Sequence, residues 1–472
     1  MRIAKPLMLI LLIYIAGCSD VSTDPSAAFS DIQKDIYGRT GHYISWNTQS
    51  KEDKAVEQKV QKMLKGSITA DQAVQIALLN NPKIQAFYER LGVAQARLVQ
   101  AGLLKNPVFD ASLKFVEGSG NDYILGMGAA QDFLDILLID LRVERQQANF
   151  DLVKAMVTSE VMNLASQAQM AFFSYQGAFQ TYNTNLLISK AAGLYYEAAK
   201  RLKDAGNITE LELIARRSIY EQSKIEVTSS HTKMLEQREE LNKLMGLWGK
   251  NTNWETKEKL PDIPTDKMDV KNIEQAALKN SLDLIIAHRK MEAVAAQTDI
   301  DISTLVFPEL ATGIEAEREP DGTWSIGPTA AIGIPIFDTG QARKAAGAAK
   351  IKQLWNEYTA LAIEIRATSR SARYRLQNAR QQADYYKQVI VPLSEKIFLE
   401  TQLQYNAMQL GVFDLLNAKR MEYDSQRSYI ETIQNYWLAR TELELLLDGH
   451  LIKNSGVSFS SGQQMSEGSG GH

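Results

Sequence analysis

Only one cysteine, Cys18, occurs in 472 residues, which excludes a disulfide-stapled fold. Beyond residue 18 there is no run of about 18 apolar residues, so the remaining chain has no segment able to cross a bilayer as a helix. An excess of one charge is missing as well. The 52 Lys and Arg against 56 Asp and Glu leave a net charge of −4 without a basic stripe, which argues against nucleic acid as a partner. His42, His231, His288, His450 and His472 are scattered without metal-ligand spacing, and neither His-Glu-x-x-His nor Gly-x-Ser-x-Gly is present. Gly126-Met127-Gly128 lacks the third glycine and the following helix of a dinucleotide loop, and fits close packing within a strand better. No catalytic residue, cofactor or metal site is expected, and the chain does not read as an enzyme.

The N-terminus is the most specific short signal. Arg2 and Lys5 precede the apolar stretch Leu7 to Ile15, and Ile15-Ala16-Gly17-Cys18 places small residues just before the cysteine. This resembles a bacterial lipobox, which implies a signal peptide over 1–17 and a diacylglyceryl group on Cys18. The absence of any other cysteine suits the periplasm, and Ser19 after Cys18 favours export to the outer membrane. The alternative is an ordinary signal peptide with an incidental cysteine.

The chain repeats itself at large scale. Ala77-Leu78-Leu79-Asn80-Asn81 returns as Ala277-Leu278-Lys279-Asn280-Ser281, offset by 200 residues, and the same plan follows each copy. Length suggests about three domains, whereas the duplication argues for one intertwined unit. The expected organisation is an N-terminal lipidated segment (18–66), a first repeat (67–247), a linker (248–268), a second repeat (269–450) and a disordered Gly/Ser-rich tail (451–472).

Each repeat carries a β-hairpin, at 107–134 and 308–337. In the first, Phe109, Ala111, Leu113 and Phe115 alternate with Asp110, Ser112 and Lys114, and Tyr123, Leu125, Met127 and Ala129 return beyond a Gly/Ser/Asn turn. In the second, Leu310, Thr312, Ile314 and Ala316 lead to Trp324, Ile326, Ala330 and Ile332. Each strand approaches the roughly 9 to 11 residues that a tilted membrane strand needs, with aromatics near the ends. Two soluble hairpins packed on helices would read the same way, and Pro328 favours that alternative. Four strands do not close a barrel, so a membrane reading requires several copies of the chain.

Proline, 11 in all, is absent from about Ile136 to Ala205, and apolar residues there recur at three- and four-residue steps. The spacing predicts a helix about 100 Å long. A second coiled-coil-like run from Leu354 to Ile390 meets Pro392, where a local departure is expected. Both runs are expected to reverse at a glycine, Gly206 as a left-handed C-cap in one and Gly411 in the other, before helices of about 35 residues return. Two antiparallel helical hairpins per chain result.

Taken together, the lipobox, the duplicated Ala-Leu-x-Asn openings, Asn106-Pro107 and Phe307-Pro308, Ile334-Pro335-Ile336-Phe337-Asp338 and the Gly411 reversal resemble the TolC-like outer-membrane efflux family over roughly residues 67 to 450. The first repeat departs from the pattern, with Asp132 where proline is expected. The resemblance implies a mostly α fold with a β-barrel part. In a homotrimer, four strands per chain would contribute to a twelve-stranded outer-membrane β-barrel, and duplicated helical hairpins would form a periplasmic α-barrel. It implies outer-membrane lipid, a periplasmic adaptor and an inner-membrane pump as partners, in a Gram-negative bacterium. Glu210 and Asp414, beside Gly206 and Gly411, are the acidic residues expected at the periplasmic gate and adaptor-docking tips; the bland alternative is that they complement helix N-termini. The function implied is an efflux exit duct for small solutes such as drugs or metal ions, with a weak lean to heavy metals. A type I secretion exit and a periplasmic adaptor or scaffold lipoprotein are the alternatives.

Overall fold

A computed structural model describes residues 23–48, 51–115, 123–257, 259–265, 272–303, 310–334 and 336–451. The lipobox with Cys18, the tip of the first β-hairpin, Phe307-Pro308, Pro335 and the tail after residue 451 lie outside the described residues.

The N-terminal segment forms two helices, α1 (Ser26–Thr40) and α2 (Lys51–Leu64). The first repeat then runs β1 (Ser67–Ile68), α3 (Ala70–Asn80), α4 (Pro82–Gly102), β2 (Val108–Phe115), β3 (Tyr123–Asp132), α5 (Phe133–Leu137), α6 (Ile139–Asp204) and α7 (Glu210–Met245). After β4 (Glu255–Thr256) the plan recurs as α8 (Ile273–Asn280), α9 (Leu282–Ser303), β5 (Leu310–Arg318), β6 (Trp324–Ile332), α10 (Gln341–Tyr385), α11 (Val391–Asn406) and α12 (Val412–Leu447).

The long helices have the expected reach. With 66 residues, α6 spans about 99 Å at 1.5 Å per residue. Its counterpart is broken at the place the sequence marked: a π-helical turn, Tyr386–Ile390, joins α10 to α11 immediately before Pro392. Proline has no N–H to give to the carbonyl four residues back, and its ring crowds that carbonyl, so a widened turn absorbs the mismatch. Leu187 in α6 imposes no such break.

The duplicated Ala-Leu-x-Asn motif has a structural task. Asn80 ends α3 and gives its Nδ2 hydrogens to the carbonyls of Met245 and Gly246, both at 2.9 Å, at the end of α7. Asn280 ends α8 and donates to Leu447 O at 2.9 Å, at the end of α12. Each short helix therefore satisfies carbonyls that the returning long helix leaves orphaned. Gly246 and Gly449 have positive φ, and a Cβ on either would collide with the backbone of the asparagine it faces.

The main core gathers α1 to α4, the middle of α6, the end of α7 and the linker. Trp254, 2% exposed, plugs it and donates its indole N–H to Asn242 Oδ1 at 2.7 Å. The linker is thus anchored, with β4 pairing in parallel with β1. The second cluster joins α8, α10 and α12.

Candidate functional site: the sheet and the hairpin tips

The two β-hairpins, about 200 residues apart in sequence, merge into one antiparallel sheet in the order β2-β3-β5-β6. Register aligns the apolar rows, with Arg318 at the end of β5 entering between Leu125 and Trp324. Phe109 faces Ala129, Ala129 faces Ile314 and Ile314 faces Pro328; Leu113 faces Leu125, and Ala316 faces Ile326. Side chains alternate with period two, so this one face collects Phe109, Leu113, Phe115, Met127, Ile314, Trp324, Ile326 and Ile332, all exposed. Phe109 is 77% exposed and Ile326 73%. No helix among the described residues covers them. A face this apolar and bare is not stable against water and needs a nonpolar medium or a partner.

The opposite face carries Asp110, Ser112, Lys114, Glu315, Glu317 and Ser325, with Lys114 pairing Glu317 at 3.5 Å. Glycines make room for these side chains: a Cβ on Gly126 would meet Ser112 Oγ at 2.6 Å, and one on Gly128 would meet the Asp110 carboxylate. Strands of eight to ten residues, tilted by about 40°, rise roughly 20–25 Å, matching an apolar band about 25 Å tall. The outer edges of β2 and β6 pair with no other strand among the described residues. In lipid such edges must be closed by another sheet. Pro328 sits on the edge strand β6, where a missing N–H is tolerated.

Below the sheet, Asp132 explains the missing proline of the first repeat. Its Oδ1 accepts the Asp135 N–H at 3.3 Å and caps α5. The buried Asp135 pairs with Arg142 at 2.9 Å and Lys105 at 3.1 Å. In the second repeat Asp338 does the equivalent, accepting from Gly340 N at 2.8 Å and pairing with Arg343 at 2.7 Å.

At the far end of the helices, the first hairpin turns at Gly206, φ +76°, with Asn207 N donating to Leu202 O at 2.8 Å. Thr209 then caps α7 in a reciprocal box with Glu212, a Thr-x-x-Glu signal visible in the sequence. The Thr209 backbone N–H and hydroxyl hold the Glu212 carboxyl below its ordinary pKa. Glu210 stands outside the box, with Lys203 at 3.5 Å.

In a different role from Gly206, the second tip also turns at Gly411. Its φ is −78° and it serves as the N-cap of α12, while the left-handed position falls on Met408, φ +59°. Gly206 and Met408 are 202 residues apart, as are Thr209 and Gly411, so the two turns superimpose position for position. Asp414 is therefore the counterpart of Glu212 and not of Glu210. It accepts the Gly411 N–H at 3.0 Å. Asp414 thus caps its own helix with one carboxylate oxygen, while Glu210 keeps a largely exposed carboxylate.

The tips are tied by residues that sequence reasoning missed. The Arg216 guanidinium of α7 lies 4.2 Å from the centroid of the Phe413 ring of α12, and Arg427 reaches Glu226 at 3.7 Å and Asp424 at 3.2 Å. Between α6, α7 and α12 they border a cavity of about 290 Å³. Burial pushes the Tyr195 hydroxyl, also on that cavity, up to about 12. Only the fold brings these helices together, so no local pattern announced them.

No protein-family model matches the chain. Solved channels do share its architecture. The Campylobacter jejuni CmeC outer membrane channel superimposes with a TM-score of 0.68 at 14% identity, covering 81% of this chain and 86% of that one. The open state of the Neisseria gonorrhoeae MtrE outer membrane channel gives 0.65 at 15% identity, covering 81% and 89%. The fold is that of the TolC-like outer-membrane channels. Among curated proteins, the cobalt-zinc-cadmium resistance protein CzcC of Cupriavidus metallidurans is 21% identical over 388 residues, 81% of this chain and 90% of its own.

Proposed function

We propose that this protein is the outer-membrane exit duct of a tripartite efflux system, moving small solutes without altering them. The observation that carries the reading is the unfinished sheet: four strands with a bare apolar face, a polar reverse and two open edges, set on helices about 99 Å long. Three copies close the barrel edge to edge, the apolar faces meet lipid, and the polar faces line the lumen. The helices continue the lumen through the periplasm to an adaptor and an inner-membrane pump, and Cys18 carries the lipid anchor. Glu210 and Asp414, near Gly206 and Gly411, sit at the periplasmic mouth. Three chains gather six carboxylates there, where repulsion favours widening or cation binding.

A compact all-β module, which an adaptor lipoprotein would need, is not what the four strands form. The curated relative's name favours metal ions among the solutes. The purified protein should run as a trimer in detergent and form channels in planar bilayers. A water-soluble monomer without conductance would refute the proposal. Loss of the gene should sensitise its host to the exported class, which separates metal ions from drugs.

A further inference from the structure

Beneath the sheet, α4, α6, α9 and α10 enclose an open groove of about 1310 Å³. Six basic residues line it: Arg90, Arg97, Arg145, Lys290, Arg343 and Lys350; Asp301 is its lone acid. For a chain of net charge −4, that concentration of one sign is out of proportion. Only Arg343 has a carboxylate within ion-pairing distance among the described residues, Asp338 at 2.7 Å. Arg90 lies 4.2 Å from the Phe87 ring centroid, and Arg145 gives one Nη hydrogen to Gln297 while its buried Nε has no partner. Lys350 gives its ammonium to the neutral Gln353 at 3.1 Å, so most of these exposed cations have no fixed counter-charge beside them and the groove carries a field of one sign. Between them lie Val93, Phe150 and Val153, an apolar floor.

A smaller cleft shares Arg97, Arg145 and Gln146 with the groove and also includes Lys105, which reaches Asp132 at 3.4 Å, at the base of the polar row of β3. That row and its neighbours are acidic, with Asp110, Glu315 and Glu317 against Lys114. The groove is thus basic, whereas the polar face of the sheet is acidic.

We infer that this groove is a binding site for amphiphilic organic anions, molecules with an apolar or aromatic body and a sulfonate, carboxylate or phosphate head. Its place in the lumen rests on the duct reading; its existence in each chain does not. The basic lining, with Arg97, Lys290 and Lys350 exposed, attracts the head, and the body rests on the apolar stretch at Val93 and Val153. Cations of one sign gathered on a concave wall concentrate anions locally. A free metal cation is repelled at this level, so a metal would pass it as an anionic complex.

The test is calorimetry on the full protein in a zwitterionic detergent with 1-naphthalenesulfonate, 1-naphthol and 1-naphthylmethylammonium. The sulfonate should bind about tenfold or more tighter than the alcohol, the ammonium weakest, with the sulfonate's advantage shrinking as salt is raised. Arg97→Gln with Lys290→Gln should remove that advantage and leave naphthol binding unchanged. Lys350→Gln alone, at an exposed site, should weaken sulfonate binding severalfold. Equal binding of all three probes, or variants that bind sulfonate like the parent, would overturn the inference. Conductance in planar bilayers judges the duct separately: a conducting channel with no sulfonate preference fails the inference alone, and an absent channel fails the duct reading while calorimetry still decides the groove.

Discussion

Replacing Met408 with glycine should stabilise the tip of the second hairpin, although a methionine is the larger and more apolar residue. Met408 is 94% exposed and its backbone is left-handed, φ +59°. With so little of the side chain covered, the substitution removes almost no packing, and the balance is set by the backbone. A non-glycine residue in that region costs about 1–2 kcal/mol, whereas glycine adopts it freely. Glycine's greater freedom in the unfolded chain takes back about 0.5–1 kcal/mol. The net gain for Met408→Gly is about 0.5–1 kcal/mol. The mirror experiment is Gly206→Ala, where a Cβ meets nothing within 4 Å, so the cost is again conformational and should be about 1 kcal/mol. Gly411→Ala, at φ −78°, incurs no left-handed penalty and should lose no more than about 1 kcal/mol through its poorer N-cap. Native-state hydrogen exchange at the amides of Met408 to Leu410 and of Gly206 to Ile208 reads these changes locally. Faster exchange in Met408→Gly, or a Gly411→Ala effect larger than that of Gly206→Ala, would show the assignment of the two turns to be mistaken.

Ile326→Arg, on the bare face of β6, should impair insertion by about 2–4 kcal/mol if that position lies near mid-bilayer, checked by the yield of heat-resistant trimer in outer membranes. Asn80→Ala leaves two carbonyls at the end of α7 without their partner and should cost about 2 kcal/mol in thermal unfolding, against about 1 kcal/mol for Asn280→Ala, which loses one bond. Burial, reinforced by Glu444, raises the Asp448 carboxyl from 3.8 to about 6, with Arg39 opposing. The folded state therefore binds its proton more tightly than the unfolded chain does. That stability is fully present below about pH 4 and is lost as pH rises through about 6, by an amount on the order of 1 kcal/mol after screening. Asp448→Asn should flatten that slope and raise the unfolding temperature at pH 7; an unchanged pH profile would contradict the assignment.

Much of the architecture was written locally. The period-two rows from Phe109 and Ile314, the proline-free stretch through α6 and the Thr-x-x-Glu at Thr209 need only neighbours a few residues away to have meaning. The Asn80 and Asn280 copies revealed the duplication but not their task, because their partners at Met245 and Leu447 lie more than 160 residues off. The role of Gly411 was open for a related reason: a glycine between two helices fits a left-handed turn and an N-cap equally well, and only the backbone path distinguishes them.

By itself, then, the sequence determined periodicity, repeat and punctuation, and with them that helices far longer than a soluble domain needs alternate with strands of bilayer length. Tertiary structure alone decided that the two β-hairpins fuse edge to edge into one sheet, that Met408 bears the strained turn, and that cations from four helices meet in one groove. Hydrogen-bond ladders and charge clusters between distant segments depend on distances in space, and side-chain alternation along a strand carries no record of which strand will lie beside it.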